Sequence, residues 1–186
     1  MLEDLTYDLR VADYDSVDAR ELTAEVQAVY VQRYGGEGDT APVDATEFAG
    51  PGGHFVMAYV DGLPVAMGGW RRHGDDAELK RMFVREAYQR RGLARAVLAE
   101  LERSAAADGI TRLVLETGLM QPEAIALYRS QGYEDIPAFG YYADDELSVH
   151  LGKDIGDSAC VQVPGHIMTN GGTMEAASAD REGSTS

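Results

Sequence analysis

Residues Glu78-Leu79-Lys80-Arg81-Met82-Phe83-Val84 read as a strand, and a short turn, Gln89-Arg90-Arg91-Gly92-Leu93-Ala94, opens a run with Leu93, Val97, Leu101 and Ala105 on one helical stripe. The order strand, tight turn, long helix is the strongest constraint on the fold. It also carries an unusual charge distribution. Lys80, Arg81, Arg85, Arg90, Arg91 and Arg95 face a single acid, Glu86, in a chain whose net charge is -16. Cations gathered against such a background call for an anionic partner. The first turn of a helix leaves backbone N–H groups unpaired at the positive end of the macrodipole, and a glycine there lets a phosphate come close. Neither G-x-G-x-x-G nor G-x-x-x-x-G-K-[ST] occurs, which removes the dinucleotide fingerprint and the P-loop.

What stands in the turn, Q-x-x-G-x-A, resembles the acyl-CoA motif (Q/R)-x-x-G-x-(G/A) of the GNAT superfamily of N-acetyltransferases. A second motif follows in order, Gln121-Pro122-Glu123-Ala124-Ile125-Ala126-Leu127-Tyr128 with Gly132-Tyr133 behind it, and it resembles the family's N-x-x-A-x-x-L-Y with a glycine and an aromatic residue. The resemblance spans roughly residues 5 to 155. It implies an α/β fold with a mixed, mostly antiparallel central sheet of about six to seven strands and helices on both faces. The implied activity is transfer of an acetyl group from acetyl-CoA to a primary amine, by direct attack in a ternary complex. A small-molecule acceptor is the expectation. A CoA-binding sensor without turnover and a protein lysine or N-terminal acetyltransferase are the alternatives, and a homodimer is common among such proteins.

The same resemblance assigns roles by position. Backbone N–H groups of Arg91, Gly92, Leu93, Ala94 and Arg95 would bind the pyrophosphate, with side-chain contacts from Gln89 and from Arg90 or Arg91. Met82, Phe83 and Val84 would offer a splayed strand edge to the pantetheine amides, Val84 lying at the family's spacing before Gln89. Gln121 replaces the usual asparagine and keeps its capacity to donate and accept. Tyr128 is the candidate general acid toward the CoA thiolate, or else a core tyrosine. Glu78 is the candidate general base, on a strand whose alternation would put it on the same face as Met82 and Val84, or else the partner of Arg81 or Arg112. Glu116, or a water, is the rival base.

Composition sets the remaining bounds. At 186 residues the chain suits one packed domain, expected over 1–155. A lone cysteine, Cys160, excludes an internal disulfide framework, and no segment approaches the ~20 apolar residues of a membrane span, so a cytoplasmic protein is expected. Acids outnumber bases 32 to 16, which argues against nucleic acid. His54, His73, His150 and His166 show no ligand spacing, so no metal is expected.

Along the chain, Tyr7 to Val11 reads as a first strand, Asp15 or Ser16 as the cap of a helix ending at Tyr34, and residues 35 to 53 as an acidic loop walling a substrate site, with a short helix at Asp44 to Phe48. Strands follow at His54 to Val60 and Pro64 to Trp70 around the turn Asp61-Gly62, then at Glu78 to Val84. Past the long helix come strands at Arg112 to Thr117, Tyr133 to Phe139 and Leu147 to Ile155, with a short helix after Pro122. Trp70, Phe139, Tyr141 and Tyr142 are candidates to line an acceptor pocket. Residues 156 to 186, rich in Gly, Ser, Thr and Ala, read as a disordered tail.

Overall fold

The computed structural model describes residues 5–156; the tail expected at 156 to 186, apart from Gly156, lies outside the described residues together with Cys160 and His166. Seven strands form one sheet in the order β1-β2-β3-β4-β5-β7-β6. They are β1 (Asp8–Val11), β2 (Gly53–Val60), β3 (Leu63–His73), β4 (Asp76–Val84), β5 (Arg112–Gly118), β6 (Glu134–Asp135) and β7 (Ser148–Asp154). The β4–β5 pair is parallel and the other pairs are antiparallel. Three α-helices complete the fold among the described residues: α1 (Val17–Tyr34), α2 (Leu93–Ala107) and α3 (Pro122–Ser130).

Local chemistry explains most boundaries. The Ser16 hydroxyl accepts from the Ala19 N–H to start α1, and Gly35, at φ 74°, donates its own N–H to the Val31 carbonyl to end it. The β2–β3 hairpin turns on Asp61 and Gly62, both at positive φ as a type I′ turn requires. Pro122 opens α3, where a missing N–H costs nothing. The strand expected over Tyr133 to Phe139 shrinks to Glu134–Asp135. Pro137 has no N–H for a ladder, and the chain instead turns so that Phe139 packs between His73 and His150, with ring centroids 5.3 and 5.2 Å away.

Each sheet face buries its own core. Leu93, Val97 and Leu101 of α2 pack on Val56, Trp70, Leu79, Leu113 and Leu115. Ala19, Leu22 and Val26 of α1 pack with Phe48, Phe55, Met57 and Met67 on the other face. The Trp70 indole is core, its N–H bonded to Ser104 Oγ at 2.8 Å, so it lines no pocket. The acidic loop is anchored by its short 3-10 helix, Ala45–Phe48, against the start of β2. No helix among the described residues is long and apolar enough to cross a membrane.

That anchorage is close. A Cβ on Gly53 would stand 2.0 Å from the Glu47 carbonyl oxygen and 2.8 Å from Phe48 Cα, both backbone atoms with nowhere to go. Gly53→Ala is therefore expected to destabilise the protein by about 1–3 kcal/mol, read as a lower urea midpoint at unchanged m-value.

Candidate active site

Beyond Leu79 the parallel β4–β5 ladder stops. Its register runs from Ala77 opposite Leu113 to Leu79 opposite Leu115, while β5 continues alongside β7 as far as Gly118 opposite Ser148. The two central strands therefore part. A β-bulge accompanies the split: Met67 pairs with Phe83 but Gly69 with Lys80, so Arg81 and Met82 share the space opposite Gly68. Arg81 adopts the left-handed conformation, φ 58°. A Cβ on Gly68 would lie 2.5 Å from Met82 Sδ, which is why the residue facing the bulge carries no side chain.

The bulge shifts the alternation by one. Leu79, Met82 and Val84 pack on the α2 side, whereas Phe83 joins the α1-side core. Glu78 thus does not share a face with Met82 and Val84, as simple alternation had it. It lies buried, 4 % exposed, between Arg71 Nε at 3.0 Å and Lys80 Nζ at 2.9 Å, rather than against Arg81 or Arg112. Burial alone would raise its pKa, but these two cations hold it below the ordinary value.

The split opens a cavity of about 280 Å³ that reaches both sides of the sheet. Tyr30 and Tyr34 of α1 meet Gln121, the residue that caps α3, and Ala124 and Tyr128 of α3 there. Lys80, Arg81 and Met82 come from β4, Glu116 to Gly118 from β5, Gly38 and Asp39 from the acidic loop, Tyr142 and Asp145 from the segment before β7, and Ser148 from the first residue of β7. Glu78 is not among the lining residues; Glu116 is. The Glu116 carboxylate accepts from the Ser148 hydroxyl at 3.2 Å and has Lys80 Nζ at 4.0 Å, and burial outweighs both to push its pKa up. In the β5–β7 register Glu116 lies opposite His150, a buried histidine with neither ring nitrogen hydrogen-bonded among the described residues. Burial lowers the His150 pKa and so favours the neutral ring.

Tyr128 is 6 % exposed, with its ring 5.6 Å from Tyr133 edge-on and its hydroxyl free of hydrogen bonds among the described residues. Burial raises its pKa well above the ordinary phenol, so the hydroxyl stays protonated. Gln121 donates to the Tyr34 hydroxyl at 3.3 Å. That hydroxyl approaches Gly118 so closely that a Cβ there would meet it at 1.9 Å.

The acidic loop does wall the cavity, through Asp39. Its carboxylate pairs with Arg81 and accepts from the Tyr142 hydroxyl at 2.9 Å and the Ala41 N–H at 3.0 Å. These contacts overcome burial and lower its pKa. Of the aromatic candidates, Tyr142 lines the cavity, while Phe139 does not and Tyr141 is 63 % exposed. Tyr30 and Tyr34 also line the cavity, and their spacing of four on α1 is the sequence signal that places them side by side.

At the start of α2 the turn forms a nest of N–H groups. Arg90 and Gly92 both take positive φ, 60° and 86°. Gly92 caps α2 with no side-chain bond, the first α2 bond runs from Ala96 N–H to the Gly92 carbonyl, and no acid occupies the first turn. The N–H groups of Leu93, Ala94 and Arg95 thus lack helical acceptors, and space beside Gly92 is open. Arg90, Arg91 and Arg95 enter no ion pair among the described residues. The other half of the basic island is already neutralised: Lys80 by Glu78, Arg81 by Asp39, Arg85 by Glu21 and Glu25 of α1. Gln89 spends its side-chain N–H on the Val84 carbonyl at 3.1 Å. That bond staples the turn to the end of β4. No group of three or more His, Cys, Asp or Glu among the described residues could hold a metal ion.

A family model described as "Acetyltransferase (GNAT) family" matches residues 20–133. An "IAA acetyltransferase" of Azospirillum brasilense is 36% identical over 115 residues, which cover 61% of this chain and 75% of that protein. Among solved structures, an acetyltransferase of the GNAT family from Staphylococcus aureus superposes with a TM-score of 0.68 at 17% identity, over 80% of this chain and 99% of its own. The PaiA N-acetyltransferase of Thermoplasma acidophilum, solved in complex with coenzyme A, gives 0.60 at 15%, over 80% and 99%.

Glu116 makes the cavity's electrostatics measurable. Its folded pKa is raised, so its contribution to stability is fully present below the unfolded value of about 4.3 and is lost as pH rises through the folded value. Glu116→Gln cannot ionise. Urea unfolding should show the variant gaining on the wild type across that window and holding its advantage above it; a constant difference at all pH would mean that Glu116 titrates normally.

Proposed function

The chain belongs to the GNAT family of acetyltransferases, enzymes that draw an acyl group from acyl-CoA, and on that premise we propose that it acetylates a primary amine of a small molecule by direct attack in a ternary complex. One observation carries this reading: the split between β4 and β5 joins an unpaired strand edge, a cavity holding Glu116 and Tyr128, and an N–H nest at the start of α2.

The residues present fit acetyl-CoA. The nest at Arg91, Gly92, Leu93, Ala94 and Arg95 suits a pyrophosphate, with Arg90, Arg91 and Arg95 free to add charge. The β4 edge at Met82 and Phe83 has no partner on the β5 side and can accept a pantetheine as a substitute strand. When bound, acetyl-CoA supplies the thioester carbonyl that the amine attacks.

The chain's own groups then manage the protons. An amine resembling a lysine side chain arrives as ammonium, its pKa near ~10.4. Glu116 is the better base of the two carboxylates. It lines the cavity with a raised pKa, whereas Glu78 is held ionised and fully paired by Arg71 and Lys80. Glu116 takes the ammonium proton, directly or through a water. The C–N bond forms as the C–S bond breaks, the nitrogen's second proton passing to the departing sulfur so that CoA leaves as its thiol, and the Met82 N–H, outside both neighbouring registers, is the donor at hand for charge on the carbonyl oxygen. Tyr128 holds a proton toward the leaving sulfur. Its raised pKa makes it a weaker acid than a thiol of pKa about 8.5, so its help is a hydrogen bond to the forming thiolate more than full transfer.

The cavity volume, about 280 Å³, favours a small acceptor over a protein lysine. The carboxylate and the phenol in one cavity favour turnover over a CoA sensor.

Calorimetry tests the donor site first. Wild type should bind acetyl-CoA and Gly92→Glu, which sets bulk and negative charge in the nest, should not; no binding by folded wild type overturns the reading. With an acceptor in hand, Glu116→Gln should cut kcat by about 10²–10³ and Tyr128→Phe by about tenfold to a hundredfold, and activity unchanged in both returns the two residues to structure. Lys80→Met removes the cation beside Glu116, so the acid limb of the kcat/KM profile should move to higher pH; a shift to lower pH would exclude Glu116 as the base.

A further inference from the structure

We infer that the acceptor is an amine with no carboxylate beside its nucleophilic nitrogen, an alkyl or arylalkyl monoamine or a diamine rather than an α-amino acid; the inference rests on the acetyltransferase reading above. A site for an amino acid needs a cation left over to hold the carboxylate. Among the described residues the cavity has none to spare. Its two cations are Lys80 and Arg81. Lys80 Nζ sits 2.9 Å from Glu78 and 4.0 Å from Glu116, and Arg81 is bound to Asp39 and donates Nε to the Tyr14 hydroxyl at 2.9 Å. Both are largely buried, at 10 % and 6 % side-chain exposure.

What remains uncompensated is negative. Burial raises the Glu116 pKa, the nearby Asp39 and Glu78 add to that by repelling its charge, and Lys80, shared with Glu78, offsets it only in part. Asp145, also in the lining, enters no ion pair among the described residues. A carboxylate on the carbon adjacent to the reacting nitrogen would be carried toward Glu116 along with it. Arg81 could not compensate, since a guanidinium already neutralised by Asp39 attracts a further anion only weakly and Asp39 repels it. An ammonium meets the opposite field. Tyr30, Tyr34, Tyr128 and Tyr142 present phenol rings to the same cavity, and such surfaces suit a cationic head on an apolar or aromatic body.

The Asp39–Arg81 pair is thus a specificity element. Asp39 is fixed by Tyr142, by the Ala41 N–H and by Gln27, whose amide donates to the Asp39 carbonyl at 2.9 Å and accepts from its N–H at 2.9 Å. Held this way, it cannot swing off to release Arg81 for a substrate carboxylate.

Matched acceptors test the inference: tyramine against tyrosine, phenethylamine against phenylalanine and cadaverine against lysine, each with acetyl-CoA and thiol release as the readout. The amine of each pair should lead in kcat/KM by about a hundredfold. Asp39→Asn frees Arg81 and should narrow that lead by about tenfold or more, mainly through a lower KM for the amino acid. Arg81→Met bares Asp39 and should widen it. Wild type that uses the amino acids as well as the amines overturns the inference while leaving the acetyltransferase reading intact. A lead that neither variant moves overturns the role of the ion pair. Acetylation of no member by a protein that binds acetyl-CoA sinks the amine reading and this inference with it.

Discussion

The site depends on two central strands that stop pairing. Backbone N–H and C=O groups at the centre of a sheet ordinarily satisfy one another, and leaving them open costs free energy unless something else pairs with them. Here β4 leaves β5 after Leu79, and the bulge at Arg81 stores further strain in a left-handed arginine. Both costs fall where a ligand would bind. The split also makes a passage through the sheet, which is how Tyr30 on one layer and Tyr128 on the other come to line one cavity. An unbroken sheet would have kept α1 and α3 in separate compartments.

The bulge arranges charge as well as backbone. By putting Lys80 and Arg81 on the same side it sends one cation to Glu78 and the other across to Asp39. A row of pairs then crosses the sheet, Glu47 to Arg71 at 2.6 Å, Arg71 to Glu78 at 3.0 Å, Glu78 to Lys80 at 2.9 Å, and Lys80 to Glu116 at 4.0 Å. The row ends with one carboxylate short of a full partner, and that carboxylate faces the cavity. In a chain of net charge -16, most buried cations serve carboxylates from other elements. The arginines left without ion-pair partners among the described residues, Arg90, Arg91 and Arg95, cluster at the α2 nest, so the unpaired charge of the basic island is confined to its second half.

Sequence patterning revealed the layers and the two motifs because those features are local. The apolar stripe of α2, the Asp61-Gly62 hairpin, Pro122 at the head of α3 and glycine at the α2 cap each follow from a few adjacent residues. Bulges are another matter. A period-two reading of Glu78 to Val84 has no means of knowing that Arg81 adds a residue to the strand, and from there every side-chain direction inverts; the misplacement of Glu78 against Met82 and Val84 follows from that one residue. Gln89 and Val84 stand at the positions of the acyl-CoA motif, and the amide of one closes on the carbonyl of the other, a contact the motif pattern does not reveal. The Asp39–Arg81–Tyr142 link joins three segments far apart in sequence, and nothing local announces it. Pro137 is a local signal for the short β6, since a residue without an N–H cannot continue the ladder.

Glu78 and Glu116 show why a base is assigned by surroundings rather than by residue type. Both are glutamates on central strands, both are largely buried, and both touch Lys80. Desolvation pushes both pKa values up by the same mechanism. The difference is the second cation: Arg71 completes the shell of Glu78, and its carboxylate becomes a fixed structural anion with its pKa held down. Glu116 has a serine hydroxyl and a shared, longer contact instead, too little to offset burial. A group whose ionised form is under-solvated gains most from taking up a proton, which is the property a general base requires. The fully paired carboxylate and the under-solvated one are thus distinguished by a single guanidinium, one strand away on β3.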